Sequence, residues 1–136
     1  GIDLAFESGD WPHMTEGVPI LLRELLSNLV DNAIKYTPAN GQVTVRLRST
    51  EFLLLEVEDT GPGIPQAERV KVFERFYRVL GNEETGSGLG LPIVQEIADR
   101  HRAKVDLLDG DAGGCLFRVS FLRRGGAVAP IDLRPD

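Results

Sequence analysis

The period of apolar and polar positions changes several times along the chain, and each change marks an element. Ile2–Glu7 alternates with period two and predicts a short strand. Ser8–Pro19 is polar with Gly and Pro, a loop with Thr15 or Glu16 near a helix start. From Ile20 to Tyr36 the apolar residues recur at helical spacing. Thr37-Pro38-Ala39-Asn40-Gly41 stops that helix: Pro38 biases Thr37 away from helical backbone, and Asn-Gly is a turn pair. Gln42–Arg48 and Phe52–Glu58 alternate again around a tight turn at Ser49–Glu51, which predicts an antiparallel hairpin. Asp59–Pro65 is a dense turn signal, and Gln66–Phe73 predicts a short helix running on into Phe76 and Tyr77. Gly81–Gly88 is polar and glycine-rich, mobile by composition. Leu89–His101 predicts a helix that tolerates Pro92 only in its first turn. Lys104–Leu108 and Cys115–Leu122 predict a closing hairpin across Asp109–Gly114. The order β-α-β-β-α-loop-α-β-β predicts an α/β sandwich with the helices on one face of a mixed sheet.

Length and charge narrow the class. The 136 residues argue for one domain, which the patterning places at residues 1–122, with 123–136 as a disordered tail rich in Gly, Pro and Ala. Apolar residues make up 42% and charged residues 26%, an ordinary globular mixture. With 15 Lys and Arg against 21 Asp and Glu, the net charge of −6 argues against a surface that coats nucleic acid or an anionic membrane. The single cysteine, Cys115, excludes an internal disulfide framework and a cysteine-based zinc site, and fits a reducing compartment. No apolar run reaches the roughly 18 residues of a membrane span. The start at Gly1-Ile2-Asp3 reads as that of an excised domain.

Two constellations carry chemistry. On the first long helix, at about 100° per residue from Glu24, Lys35 falls near about 20°, Asn28 near about 40° and Asn32 near about 80°. These form a polar stripe bordering the core stripe of Leu22, Leu25, Leu26, Leu29 and Ala33. Two Asn in mid-helix are poor choices on propensity, but amide oxygens can coordinate a hard cation and a nearby Lys suits a polyphosphate. Taken alone, the stripe reads first as a solvated face with a mixture of acid and base. The second constellation is a pair of glycine loops. Asp59 stands at a strand end, where it can accept from an exocyclic amine, and Gly61 and Gly63 let backbone approach a flat ligand. Gly86-Ser87-Gly88-Leu89-Gly90-Leu91 leads into a helix whose first N–H groups suit a phosphate. It lacks a Walker Lys and does not follow a strand of a βαβ unit. Alone, each loop reads first as a simple connection, and Phe73, Phe76 and Tyr77 as core.

In order and spacing these pieces resemble the ATP-binding catalytic domain of sensor histidine kinases, in the group that also holds gyrase, heat-shock-chaperone and mismatch-repair ATPases. Asn28-Leu29-Val30-Asp31-Asn32-Ala33-Ile34-Lys35-Tyr36-Thr37-Pro38 resembles the N box, and Asp59-Thr60-Gly61-Pro62-Gly63-Ile64 the first glycine box. Phe73-Glu74-Arg75-Phe76-Tyr77-Arg78 resembles the F box, and Gly86–Leu91 the second glycine box. The resemblance covers residues 2–122 and implies the Bergerat type of two-layer α/β sandwich, with a flexible ATP lid over about Val79–Thr85.

The resemblance also implies roles. Asn32 holds Mg²⁺, with Asn28 beside it near the phosphates. Lys35 contacts phosphate and Tyr36 borders the nucleotide. Asp59 accepts from the adenine amine in a pocket shaped by Gly61 and Gly63. Phe73 and Tyr77 contribute to the ATP site, and Arg78 approaches the γ-phosphate. Gly86, Gly88, Leu89 and Gly90 close on the phosphates. Asn28, Lys35 and Arg78 are the candidate catalytic residues, and ATP and Mg²⁺ the cofactors. The phospho-accepting histidine of such kinases lies on a separate dimerisation domain; His13 sits in a Pro-flanked loop and His101 at a helix end, where its cation would complement the dipole, and neither has that context. ATPase relatives carry a water-activating Glu where this chain has Asn28, and an amide cannot act as a general base, which favours transfer over hydrolysis. The implied partners are that dimerisation domain and a response regulator, with the fragment monomeric, the parent a homodimer anchored in the bacterial inner membrane, and this domain cytoplasmic. Other readings of the same motifs are a non-catalytic nucleotide sensor, a serine-directed anti-sigma kinase and a mismatch-repair-type ATPase.

Overall fold

The computed structural model describes residues 3–8, 17–74 and 90–122. The elements are β1 (Asp3–Ser8), α1 (Pro19–Tyr36), β2 (Gln42–Ser49), β3 (Phe52–Asp59), α2 (Gly90–Arg100), β4 (Lys104–Asp109) and β5 (Cys115–Leu122). One five-stranded sheet has the order β1-β2-β3-β5-β4, with β1 parallel to β2 and the other pairs antiparallel. Both helices pack on one face of it and against each other. The expected two-layer sandwich and both hairpins are therefore present. The lid and the 123–136 tail lie outside the described residues.

The core follows from strand alternation. Val43, Val45 and Leu47 of β2, Leu53, Leu55 and Val57 of β3, and Phe117, Val119 and Phe121 of β5 point toward the helices and are buried. From above, α1 supplies Leu22, Leu25, Leu26, Leu29 and Ala33, and α2 supplies Leu91, Val94, Ile97 and Ala98. Pro19 opens α1 at its first turn, where a missing N–H removes no helical bond. Thr37 ends it, its hydroxyl donating to Ala33 O at 2.6 Å. Asn40 then takes the left-handed conformation, φ 69°, in the expected Asn-Gly turn. Pro92 sits in the first turn of α2.

Two expectations are corrected. The segment 66–73 is not one short α-helix but two 3₁₀ turns, Gln66–Glu68 and Lys71–Phe73, bridged by Arg69 and Val70. Its bonds close over three residues, as in Glu68 N–H to Pro65 O and Glu74 N–H to Lys71 O, both 2.9 Å. Val72 is buried and Phe73 packs edge-on to Phe117 with centroids 6.2 Å apart, so core contacts set the path over too few residues for a stable helix. The second correction is His101, expected as a cation at the end of α2. Its Nε2 accepts the Val18 N–H at 3.0 Å, and its Nδ1 lies 2.8 Å from Ile97 O. A protonated ring has no lone pair for Val18, so this geometry describes a neutral imidazole donating from Nδ1. It ties the start of α1, where Val18 offers no side-chain cap, to the end of α2.

The opposite face of the sheet carries a charged row. Arg46, Glu56 and Arg118 lie side by side across β2, β3 and β5. Glu56 is only 1% exposed, although no helix among the described residues packs on this face. Arg46 Nη1 donates to its Oε1 at 3.0 Å, while Arg48 Nη2 and Arg118 Nε donate to its Oε2 at 2.8 and 2.7 Å. Burial alone would raise the carboxyl, but the bonds from Arg48, Arg118 and Arg46 outweigh it and bring it down from 4.5 to about 2.

Because the folded value lies below the unfolded one, this stabilisation is complete above pH 4.5 and is lost as pH falls through about 2. The shift corresponds to about 3 kcal/mol. Urea denaturation across that acid window is expected to show the loss. Glu56→Gln is expected to flatten the slope there and to be less stable at neutral pH, since it leaves three guanidinium groups around an uncharged amide. A variant with the parent's slope and stability would show that the cluster contributes nothing.

Candidate functional site

The site forms where α1 and β3 end together. On β3, Leu53, Leu55 and Val57 face the helices, and alternation places the next side chain of that row, Asp59, on the same side. An apolar row thus ends in a carboxylate that is 5% exposed. The backbone stays paired up to this point: Thr60 N–H donates to Gln42 O at 3.1 Å, and Gln42 N–H to Thr60 Oγ1 at 2.9 Å.

One oxygen of Asp59 is committed and the other is not. Oδ1 accepts the Gly61 N–H at 2.9 Å and the Cys115 N–H at 3.2 Å. Oδ2 takes no hydrogen bond among the described residues, and no buried polar side-chain atom among them lacks a partner, so Oδ2 keeps access to solvent. Burial, the largest influence, pushes the Asp59 carboxyl up from 3.8, and nearby Glu58 pushes the same way; the Gly61 and Cys115 N–H groups pull it back only in part. The result is a fixed, largely desolvated acceptor with one oxygen available to a ligand donor.

Two glycines allow the clamp. A Cβ on Gly61 would stand 2.8 Å from Tyr36 O, so only glycine lets the end of β3 close on the end of α1. A Cβ on Gly114 would stand 2.1 Å from Asp59 O, which makes the β4–β5 turn the other wall. Gly63 has φ 79° and turns the loop back against Gly113. Arg69 ties the two loops together, its Nε donating to Ile64 O at 3.0 Å and its Nη2 pairing with Asp109.

The polar stripe of α1 runs up beside this corner. Asn28 and Asn32 are half-buried, Lys35 is exposed and Tyr36 is half-buried. Asn28 Nδ2 donates to Glu24 O at 2.9 Å, which leaves its carbonyl oxygen facing away from its own helix. That oxygen lies 3.3 Å from where a Cβ on Gly90 would stand, so it faces the start of α2. The first N–H groups of α2 have no partner within the helix and favour an anion. Among the described residues, no three His, Cys, Asp or Glu side chains gather. A hard cation would therefore meet amide oxygens rather than a carboxylate cage, which fits Mg²⁺ held mainly by phosphate oxygens and water.

Of the residues expected in the site, the structure brings Tyr36, Asp59 and Gly61 together at one corner, with Gly63 in the loop behind it and Asn28 beside Gly90. Phe73 spends its ring on Phe117. Tyr77, Arg78, Gly86, Gly88 and Leu89 lie outside the described residues. Sequence reasoning missed Gly114 and Cys115, because Asp109–Gly114 reads only as a hairpin connection. The available signal was its glycine density, three residues of six.

Comparison with known proteins agrees with this architecture. Residues 17–125 match the family described as histidine kinase-, DNA gyrase B-, and HSP90-like ATPase. The sensor protein QseC of Escherichia coli K12 is 43% identical over 105 residues, 77% of this chain and 23% of that protein. The sensor protein kinase PmrB of Pseudomonas aeruginosa is 41% identical over 124 residues, 88% of this chain and 26% of its own length. The chain thus spans about a quarter of these relatives. Among solved structures, a mycobacterial sensor histidine kinase MprB superposes with TM-score 0.80 at 34% identity, covering 90% of this chain and 84% of that one. The nucleotide-free catalytic domain of histidine kinase ThkA gives TM-score 0.77 at 28% identity, covering 90% and 80%.

The raised Asp59 carboxyl has a consequence for stability. A group whose folded value lies above its unfolded value opposes folding once it ionises, so at neutral pH charged Asp59 works against the fold. Asp59→Asn keeps an oxygen for the Gly61 and Cys115 N–H groups and removes the charge. It is expected to melt at a higher temperature than the parent at pH 7 without ligand, with the difference shrinking toward low pH. A lower melting temperature at pH 7 would contradict this.

Proposed function

The chain belongs to the family of histidine kinase-, DNA gyrase B- and HSP90-like ATPases, as the catalytic part of a sensor histidine kinase, and on that premise we propose that it binds ATP with Mg²⁺ and transfers the γ-phosphoryl group to a histidine on a separate dimerisation domain. The observation that carries the reading is Asp59: one oxygen clamped by two backbone N–H groups, the other open, at the corner where the α1 stripe ends. That oxygen is suited to the exocyclic amine of adenine, which donates, and unsuited to the carbonyl that guanine carries at the same place. Gly61 and Gly63 give the base a flat approach. Tyr36 borders the nucleotide, and Phe73 contributes from its place against Phe117.

From the base, the triphosphate would run along Asn28, Asn32 and Lys35 toward the start of α2. Asn32 is the proposed Mg²⁺ ligand, with Asn28 turning its carbonyl oxygen toward the same region. Bound there, Mg²⁺ neutralises charge on the phosphates. Lys35 and Arg78 would add positive charge, and Gly86, Gly88, Leu89 and Gly90 would close the phosphate end, under a lid over about Val79–Thr85. Phosphoryl transfer asks the protein for position and charge neutralisation more than for covalent chemistry. Asn28 has its NH₂ committed to Glu24 O and no titratable proton, so it cannot activate water. Transfer to an acceptor that brings its own nucleophilic nitrogen fits this site better than free hydrolysis.

The parent is proposed to be a membrane-anchored homodimer that passes the phosphate to a response regulator, with this domain on the cytoplasmic side. Among the described residues, no helix is long and apolar enough to cross a membrane.

Loss of a hydrogen bond to a charged group costs roughly 1.5–3 kcal/mol, about 10- to 150-fold in affinity. Asp59→Asn is therefore expected to bind ATP more weakly by that factor in calorimetry and to lose preference over GTP. The chain alone is expected not to label itself with γ-³²P-ATP but to label the parent's dimerisation domain added in trans. Asn32→Ala is expected to abolish that transfer while ATP affinity falls less. The product is expected to be acid-labile and base-stable, as a phosphoramidate is. An acid-stable, base-labile product would point to serine or threonine, and rapid turnover without an acceptor to an ATPase.

A further inference from the structure

We propose that Glu58, held by Arg46, is a positioning residue for Asp59 and acts through the Asp109–Gly114 turn; this rests on the reading of Asp59 as the acceptor of the base. Glu58 and Asp59 are neighbours on β3, so their side chains leave the strand on opposite faces. Each holds the same turn. On the open face, Glu58 Oε2 accepts the Asp111 N–H at 2.7 Å. On the helix face, Asp59 Oδ1 accepts the Cys115 N–H at 3.2 Å. Between them the turn presses its glycines on the strand end: a Cβ on Gly110 would stand 3.2 Å from Glu58 Oε2 and 3.3 Å from Asp59 O.

The turn has little else to fix it. Asp111, Ala112 and Gly113 are exposed, and its internal bonds run from Gly110 N–H to Gly114 O and from Gly113 N–H to Gly110 O. These keep it a hairpin, and the β3–β5 ladder seats only its far end, with Leu116 opposite Glu58. A further side-chain tie, Arg69 to Asp109, ends on a carboxylate that is 81% exposed, and such pairs contribute little. Glu58 is 15% exposed, and Arg46 Nη2 fixes its second oxygen at 3.1 Å. Arg46 is itself anchored by Glu56. A line of charge-assisted bonds thus runs from the sealed Glu56 through Arg46 and Glu58 to the Asp111 N–H, in the turn that leads to the Cys115 N–H on Asp59.

The test uses the 136-residue chain with Glu58→Ala, Glu58→Gln and, as a control in the same charged face, Arg48→Ala. Amide exchange of Cys115 is read without nucleotide, and affinities for ATP and GTP are read by calorimetry. Glu58→Ala is expected to speed Cys115 exchange and to weaken ATP about fivefold, the worth of roughly one hydrogen bond, with GTP unchanged. Glu58→Gln, which keeps an acceptor oxygen, is expected to recover most of both. Glu58→Ala combined with Asp59→Asn is expected to bind ATP no more weakly than Asp59→Asn alone. Unchanged Cys115 exchange, equal weakening of ATP and GTP, or additivity in the double variant would overturn the proposal. So would an Arg48→Ala variant that behaves like Glu58→Ala, because the effect would then be a general loosening of the sheet. If the parent chain binds ATP and GTP equally, the adenine reading has failed, and Cys115 exchange alone decides the positioning role.

Discussion

Glu56 is the point at which the open face of the sheet is tied together. A carboxylate 1% exposed must be paired, and it draws guanidinium groups from β2 and β5 across β3. Such a cluster is no guarantee of net stability, since well-packed apolar side chains can do as well. What apolar side chains would not supply is register. The Arg46–Glu56–Arg118 row forms only in one alignment of the three strands, and a slip of one residue would turn these charges toward the helices and the valines and leucines toward water. The same alignment brings the end of β3 level with the start of β2 and the turn before β5, which is where the candidate site is built.

Two buried carboxylates three residues apart on β3 therefore have opposite characters. Glu56 is held by three cations and driven down to about 2, so its charge stabilises the fold. Among the described residues Asp59 has two backbone N–H groups and no cation, so burial wins and its carboxyl is pushed up. Environments that push titratable groups apart in this way separate structural from functional roles. Among the described residues Oδ2 of Asp59 has no hydrogen-bond partner, and the ligand donor proposed above would give it one. Burial and the nearby Asp59 charge also push the Cys115 thiol up to about 12, so its contribution is the backbone N–H rather than thiol chemistry.

Much of this was legible locally. The α1 pattern, both hairpins, the left-handed Asn40 and the first-turn position of Pro92 all follow from periodicity and turn chemistry within a few residues. The Asn28–Asn32–Lys35 stripe and Asp59 could be singled out on residue chemistry, although neither was decisive until the motifs were taken together. What could not be seen depends on distant chain meeting. Asp59 and Cys115 are 56 positions apart, and Glu56 and Arg118 are 62 apart. Only the adjacency of β3 and β5 unites them. Likewise, His101 reads as a helix-end cation until the start of α1, 83 positions earlier, presents the Val18 N–H to it. The 3₁₀ turns at 66–73 reflect the pull of Val72 and Phe73 into a core that the segment's own sequence does not describe.

The proposed adenine contact can be isolated by changing the ligand instead of the protein. Purine riboside triphosphate differs from ATP only in lacking the exocyclic amine, so the two share every phosphate and ribose contact. If Asp59 accepts that amine, calorimetry on the unmodified chain gives ATP an affinity about 10- to 150-fold higher. Equal affinities for the two nucleotides would contradict the role assigned to Asp59 and the reading of the site built on it.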